Sequence, residues 1–457
     1  MPHHTIIPNL SMKIIDKGRL QLLEILGVGG FGTVYRAHDR ECYGSPTFRA
    51  VKVMPRIDDV RSERGKLIQR EYIHHQFVSG HPNIVKLHRM TYDSDYVYLV
   101  LDYVPGGDLL SHIFKHRLAR NDELIKSLLI QLVDGVYACH QNRIYHRDLK
   151  PENVLVSSDL SSAFLGDFGL SSMSPGGRSN MFRVGTANYM SPECYNIRTW
   201  DDYDLRRNDI WAIGMIAICM ICGRCPWTRA SLKDGNFAAY VSNTGYLRTV
   251  LPISEEADDI IRSIFILRES RCIDLLTLRQ RLANVKTFYM SDEDLGAASS
   301  SARSIYEDYQ PRMQGMGDTT LAEDSFVNES EMPALGDVSE MPALIDIPSP
   351  VPPPFDVPAV PEHAFSLGTS GCSSSSSSSE NTEPSSAEES DAPITPETHA
   401  QDPEVVIPEM SGEVGLGEQA IKFELHPFEK TRRSLTGPQF RVLSGMLDNV
   451  GRMLTAA

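Results

Sequence analysis

The sequence predicts an α+β chain of two unequal lobes, a small one rich in strands and a larger helical one, followed by a long disordered tail. Three observations carry this. Short apolar runs of strand character come first, apolar patterns of helical length come later, and the composition changes abruptly near residue 290.

In chain order, Phe48 to Val53 and Tyr96 to Leu101 read as strands, and Leu124 to Cys139 and Ile210 to Cys222 as helices. The globular domain is expected over residues 20–288, behind an N-terminal extension of residues 1–19. Residues 289–420 hold 15 of the 28 prolines and the run Ser373 to Ser379. Residues 291–420 carry 26 acidic and 2 basic side chains, a net of −24, against +5 for residues 1–290 and +3 for residues 421–457. Such a segment cannot bury enough apolar surface to offset its chain entropy and is expected to be disordered. It contains two copies of Ser-Glu-Met-Pro-Ala-Leu, beginning at Ser330 and Ser339, and a P-x-x-P match from Pro350 to Pro353. The repeat reads as a tandem docking peptide or as a local duplication without function. In the basic segment of residues 421–457, Phe440, Leu443, Leu447, Val450 and Leu454 fall on one helix face.

Several function classes drop out. The longest apolar stretch is 13 residues, too short for a bilayer. The start, Met1-Pro2-His3-His4, lacks the pattern of a secretory signal and the glycine that myristoylation needs. Eight cysteines do not make a disulfide scaffold, and no basic run points to nucleic acid. A reduced intracellular chain, in the cytoplasm or nucleus, is expected.

Two strings carry chemistry. Leu26, Gly27, Val28, Gly29, Gly30, Phe31, Gly32, Thr33 and Val34 spell G-x-G-x-x-G-x-V, where glycines let a backbone close over phosphates. Dinucleotide-binding folds share its core, but there a helix follows. Here the chain continues as a strand, and the next strand carries Lys52 between apolar residues. The second string runs from His146 through Arg147, Asp148, Leu149, Lys150, Pro151 and Glu152 to Asn153, with Asp167-Phe168-Gly169 fourteen residues on. It offers a carboxylate to accept a hydroxyl proton, a cation to neutralise a phosphoryl group, and an amide and a carboxylate oxygen for a divalent metal.

Together and in this order these strings resemble a eukaryotic protein kinase over residues 20–288. The resemblance implies a bilobal kinase fold and a Ser/Thr protein kinase that uses ATP and Mg²⁺ on protein hydroxyls. It places Gly27, Gly29 and Gly32 over the phosphates, Lys52 on the α- and β-phosphates with Glu71 as its partner, and Asp148 at the substrate hydroxyl. It places Lys150 on the γ-phosphate, and Asn153 and Asp167 on the metal. Leu101 would guard the adenine pocket, Asp102 to Val104 would form the hinge, Val34, Ala50 and Leu155 would sandwich the ring, and Asp108 would face the ribose. Thr186 would bond near Asp148 and Lys150, and Arg271 would pair with Glu193. Lys150-Pro151-Glu152 is the Ser/Thr version of the loop. The strings Tyr189 to Cys194 and Leu247 to Ser254 are similar to fungal kinases related to the fission-yeast repressor of meiosis, a group linked to nutrient response, mating and meiosis.

An arginine placed as Arg147 often meets a phosphate on the activation segment. The usual acceptor, three residues before Gly185, is Phe182, which leaves a segment ordered without phosphate as one expectation and Ser179 as the next acceptor. Glu152 and Asp108 point to arginine upstream of the target serine, and would make Arg432-Arg433-Ser434 an autophosphorylation site. Cys219-x-x-Cys222-x-x-Cys225 lacks the fourth cysteine of an iron–sulfur run, and His74-His75 diverge on a helix, so neither reads as a metal site. The rival reading is a pseudokinase scaffold that binds partners through the acidic tail. The presence of Lys52, Asp148, Asn153 and Asp167 weighs against it.

Overall fold

The computed structural model describes residues 7–30, 32–41, 47–57, 62–195, 201–267 and 271–312. Phe31, the Ser-Glu-Met-Pro-Ala-Leu repeat, the P-x-x-P match, Arg432-Arg433-Ser434 and the helix expected near the end of the sequence lie outside the described residues.

The first lobe is an antiparallel sheet of β1 (Ile14–Ile15), β2 (Leu20–Gly29), β3 (Gly32–Asp39), β4 (Thr47–Pro55), β5 (Leu87–Tyr92) and β6 (Tyr96–Asp102), in the order β1-β2-β3-β4-β6-β5. One helix, α1 (Glu63–Val78), precedes β5 and starts at Ser62, whose hydroxyl accepts from the Gly65 amide. Register sorts the two faces, because residues directly opposite one another share a side. Tyr35, Val51 and Val100 lie together on one face, and Val34, Lys52 and Leu99 on the other. The first set forms a buried cluster with Leu20, Leu22, Val53 and Tyr98.

That cluster needs a cover, and residues 7–19 supply it, so the domain starts before residue 20. Ile15 is buried in the cluster, Ile7 and Leu10 pack on it, and the Leu10 amide donates to the Tyr35 hydroxyl at 3.0 Å. The Lys13 ammonium reaches Asp93 at 2.7 Å. The expected extension is therefore part of the lobe from residue 7 onward.

The second lobe opens with α2 (Leu109–Phe114) and α3 (Asp122–Gln141), followed by short strands β7 (Ile144–Tyr145), β8 (Val154–Val156), β9 (Ala163–Leu165), β10 (Ser172–Met173) and β11 (Arg178–Ser179). Next come α4 (Pro192–Tyr195), β12 (Tyr203–Asp204), α5 (Leu205–Cys222), α6 (Gly235–Ser242), α7 (Tyr246–Val250), α8 (Glu255–Ile264) and α9 (Leu275–Asn284). Helix α5 is apolar almost all round, as a central helix must be, and every residue except Arg206 is buried. Asp204 caps its start, accepting from the Arg206 amide at 2.7 Å, and Gly223, at φ +69°, ends it. Trp227, Phe237 and Phe265 pack against its Trp211. No helix among the described residues is long and apolar enough to cross a membrane.

The lobe does not stop at residue 288. Helices α10 (Asp292–Ala297) and α11 (Ser300–Asp308) follow, and Ala302, Ile305 and Tyr309 are buried. The Arg120 guanidinium sits 3.6 Å from the Tyr306 ring centroid and donates to the Tyr306 carbonyl. Gly223 makes room for Tyr309, since a Cβ there would stand 2.4 Å from its ring. The expectation of disorder from residue 289 is thus corrected for residues 289–312. Composition averaged over 130 residues hides three well-placed apolar side chains.

Candidate active site

The glycine string forms the hairpin between β2 and β3, paired from Gly27 with Val34 to Gly29 with Gly32. Gly32 is required by close approach, because a Cβ there would lie 2.2 Å from the Val53 carbonyl oxygen. Leu26 and Val28 are exposed beside it, while Thr33 is buried. Behind the hairpin the inner face of the sheet carries Val34, Ala50, Lys52 and Leu101, and Ala50 pairs with Leu101.

Lys52 is buried and meets two carboxylates from distant parts of the chain. Its Nζ donates to Glu71 Oε1 on α1 at 2.7 Å and to Asp167 Oδ1 at 2.9 Å. Burial alone lowers the ammonium, but Asp167 and Glu71 outweigh it and hold the pKa well above its ordinary value. Asp167 responds in mirror image: burial raises its carboxyl, and Lys52 overrides this to hold it well below the usual range. Burial pushes Glu71 up against the pull of Lys52. Asp167 also stands at φ +51°, a conformation that side-chain-bearing residues adopt where the surroundings impose it.

The loop of residues 146–153 is held from beneath. Asp209, fully buried near the start of α5, accepts from the His146 and Arg147 amides at 2.9 Å each and meets His140 Nε2 at 2.9 Å. Nothing in the local sequence singles out Asp209 for this role. On this anchored loop Asp148 Oδ1 accepts from the Thr186 amide at 2.9 Å and hydroxyl at 2.8 Å. Asp148 Oδ2 accepts from Asn153 Nδ2 at 3.2 Å, and Lys150 Nζ stands 3.7 Å from it. Asn153 Nδ2 also donates to the Asp148 carbonyl, so its amide oxygen is the end left to meet a metal.

The remaining expected residues surround this core. Leu155 lies on β8, and the chain at Asp108 bridges to it. Asp108 caps α2, accepting from the Ser111 amide at 2.8 Å and hydroxyl at 2.9 Å, a use the sequence did not show. The Asp102 carboxylate is held by Arg49 at 3.1 Å and by His88, and the Val104 carbonyl accepts from the Gly107 amide. Glu193 departs from expectation. Its buried partner is Arg207 at 2.8 Å, while Arg271 is exposed. Arg207 follows the Asp204 cap on α5 and reaches Glu193 from within the core, where an exposed side chain does not compete.

His74 and His75 serve packing. The His75 ring lies 4.6 Å from the ring of Phe168, His146 flanks the same ring at 5.1 Å, and His74 Nδ1 meets Ser171 Oγ at 2.9 Å. Burial lowers them to about 3 and about 4 respectively, so both are neutral at pH 7. Cys219, Cys222 and Cys225 are buried, with Cys219 and Cys225 sulfurs 3.1 Å apart.

A model of the family described as "Protein kinase domain" matches residues 20–279. The chain is 36% identical over 300 residues to the "Negative regulator of sexual conjugation and meiosis" of Schizosaccharomyces pombe, covering 61% of this chain and 63% of the relative. It is 31% identical over 293 residues to "Serine/threonine-protein kinase ksp1" of the same yeast (62% and 60% covered), and 33% identical over 224 residues to "Serine/threonine-protein kinase SKS1" of Saccharomyces cerevisiae (46% and 44%). The chain therefore spans less than two thirds of the length of these relatives. With the paired lysine, the anchored Asp148 loop and the two-lobed fold in place, the chain belongs to the protein kinase family.

Proposed function

We propose that the chain transfers the γ-phosphoryl group of ATP to serine and threonine hydroxyls of proteins, with Mg²⁺ as the metal. The observation that carries this reading is Lys52 bonded at once to Glu71 and Asp167, which brings a buried cation and two carboxylates from distant parts of the chain to one point. The donor set suits a hard cation that prefers one or two carboxylates plus phosphates: Asp167 brings a carboxylate held ionised, and Asn153 an amide oxygen. Bound there, the metal would offset charge on the phosphate oxygens.

In this reading Lys52 fixes the α- and β-phosphates, and the glycine hairpin covers them. Thr186 holds Asp148 by Oδ1, so Oδ2 takes the proton as the substrate oxygen bonds to phosphorus and the bond to ADP breaks. Lys150 neutralises the transferring group. Lys150 and Thr186 beside Asp148 match the pattern of the Ser/Thr members of the family, which supports serine and threonine as acceptors.

The preference for upstream arginine is proposed on Glu152, half-buried in the turn Pro151–Asn153 beside Asp148. Asp108 contributes less, since both its oxygens serve Ser111. A place in developmental signalling is proposed from the fission-yeast relative, named as a negative regulator of sexual conjugation and meiosis. The test is phosphate transfer by the purified full-length protein from Mg·ATP onto an arrayed peptide library, with Asp148→Asn alongside. Transfer to Ser/Thr peptides with upstream arginine, absent in the variant, is expected. Equal transfer by the variant, or none by the wild type, refutes the reading.

A further inference from the structure

Where phosphate orders an activation segment, the phosphorylated side chain pairs with an arginine placed as Arg147 is. Here the position three residues before Gly185 holds Phe182. Arg147 is 4% exposed, and its Nε and Nη2 atoms are buried without a hydrogen-bond partner among the described residues. Two neutral groups lie against it, the Tyr203 hydroxyl and the Cys194 thiol. Burial pushes the Tyr203 hydroxyl up while the Arg147 charge pulls the other way, and the Cys194 thiol feels the same opposition.

Tyr203 is also where the activation segment is fastened. Its ring lies 5.5 Å from that of Phe182, and its hydroxyl donates to the Met181 carbonyl at 3.1 Å. Both rings belong to an apolar cluster with Tyr145, Met190, Cys194 and Leu205. Strand β11 pairs with β12, Ser179 opposite Tyr203, and the Leu205 amide donates to the Gly177 carbonyl at 2.8 Å. The Ser179 hydroxyl, the next acceptor in sequence, is already used by the Met181 amide. Further along, the Arg183 amide donates to the Cys194 carbonyl at 3.0 Å. The fastened stretch includes Gly185, at φ +112°, whose Cβ would stand 2.3 Å from the Arg147 carbonyl oxygen, and Thr186, which holds Asp148.

We propose that Phe182 packed at a tilt against Tyr203 is a neutral latch that keeps the activation segment in its transfer-competent arrangement without phosphate, making the pair positioning residues for the reaction. The proposal rests on the Ser/Thr kinase reading. Its mechanical chain runs from Phe182 to Tyr203, along residues 179–186, to the hydrogen bonds of Thr186 on Asp148. The ion-paired Lys52 is not in that chain, so loosening the latch lowers kcat while KM for ATP stays put.

The experiment uses the purified full-length protein and the peptide assay above. Wild type is assayed before and after treatment with a protein phosphatase, and mass spectrometry verifies that residues 167–193 carry no phosphate. Treated enzyme is expected to keep at least half its rate. Phe182→Ala is expected to lose about tenfold or more in kcat with KM for ATP within about twofold, and Phe182→Leu to recover most of the loss, as a change of packing volume should. Loss of activity on dephosphorylation, or full kcat in Phe182→Ala, overturns the latch and leaves the kinase reading standing. No transfer by untreated wild type overturns both. Should Phe182→Ala fail to fold, the phosphatase comparison decides.

Discussion

Lys52 and Arg147 are both buried cations, yet Lys52 meets two carboxylates whereas Arg147 sits against Tyr203 and Cys194. The nucleotide end of the site is therefore set by charge, and the activation segment by packing. Charge fixes angles and distances tightly but must stay balanced, since a single removal leaves an uncompensated ion. Packing tolerates a change of chemistry when volume is kept, but not a cavity.

Lys52→Met breaks the charged side and carries the largest expected effect. It leaves Glu71 and Asp167 without the cation that both contact, and takes away the proposed phosphate contact. Transfer should fall by about 10³-fold, of the order seen when one electrostatic group is removed from an active site. Stability should drop by about 3 kcal/mol, read from urea unfolding. A variant with near-normal transfer would show that the triad is not what aligns the phosphates.

This charged half was legible in the sequence. Lys52, Asp148, Lys150, Asn153 and Asp167 sit in short strings whose order and spacing carry the kinase resemblance, and that resemblance named Glu71 as the partner of Lys52. The packed half was not. Asp209 beneath residues 146 and 147, Arg207 on Glu193 and Tyr309 against Gly223 join segments whose separation no local pattern records. The outer limits of the two lobes were hidden for the same reason. Residues 7–19 and 289–312 each contribute a few apolar side chains that matter only once a distant surface is there to receive them.

Tyr309→Ala tests the packed half where no charge is at stake. Truncating a buried aromatic costs about 3–5 kcal/mol, so Tm should drop by several degrees while kcat of the folded enzyme stays at the wild-type value. Ending the chain after residue 290 should cost at least as much, and ending it after Arg312 very little. Equal stability of the two truncations would return residues 289–312 to the tail.

Acid offers a way to turn part of the neutral packing into charge without altering a residue. His74 and His75 are buried around Ser171 and Phe168, with Arg70 and Arg147 bearing on the first, and Lys52, Asp167 and His146 on the second. Their folded values, lowered by burial to about 3 and about 4, lie below the ordinary 6.5. Below pH 6.5 the unfolded chain binds protons that the folded one refuses. The stability these residues allow is therefore complete above about pH 7 and lost as pH falls toward 4. At pH 5 the loss is about 2 kcal/mol for each histidine, from 1.5 units at 1.36 kcal/mol per unit. His75→Leu keeps an apolar side chain beside Phe168 and cannot take a proton. Its Tm should therefore fall less than that of the wild type between pH 7 and pH 5, whatever it loses at pH 7 with the bond to the Val85 carbonyl. Parallel curves for the two proteins would mean that His75 takes its proton in the folded state, and that the packing around Phe168 accommodates charge after all.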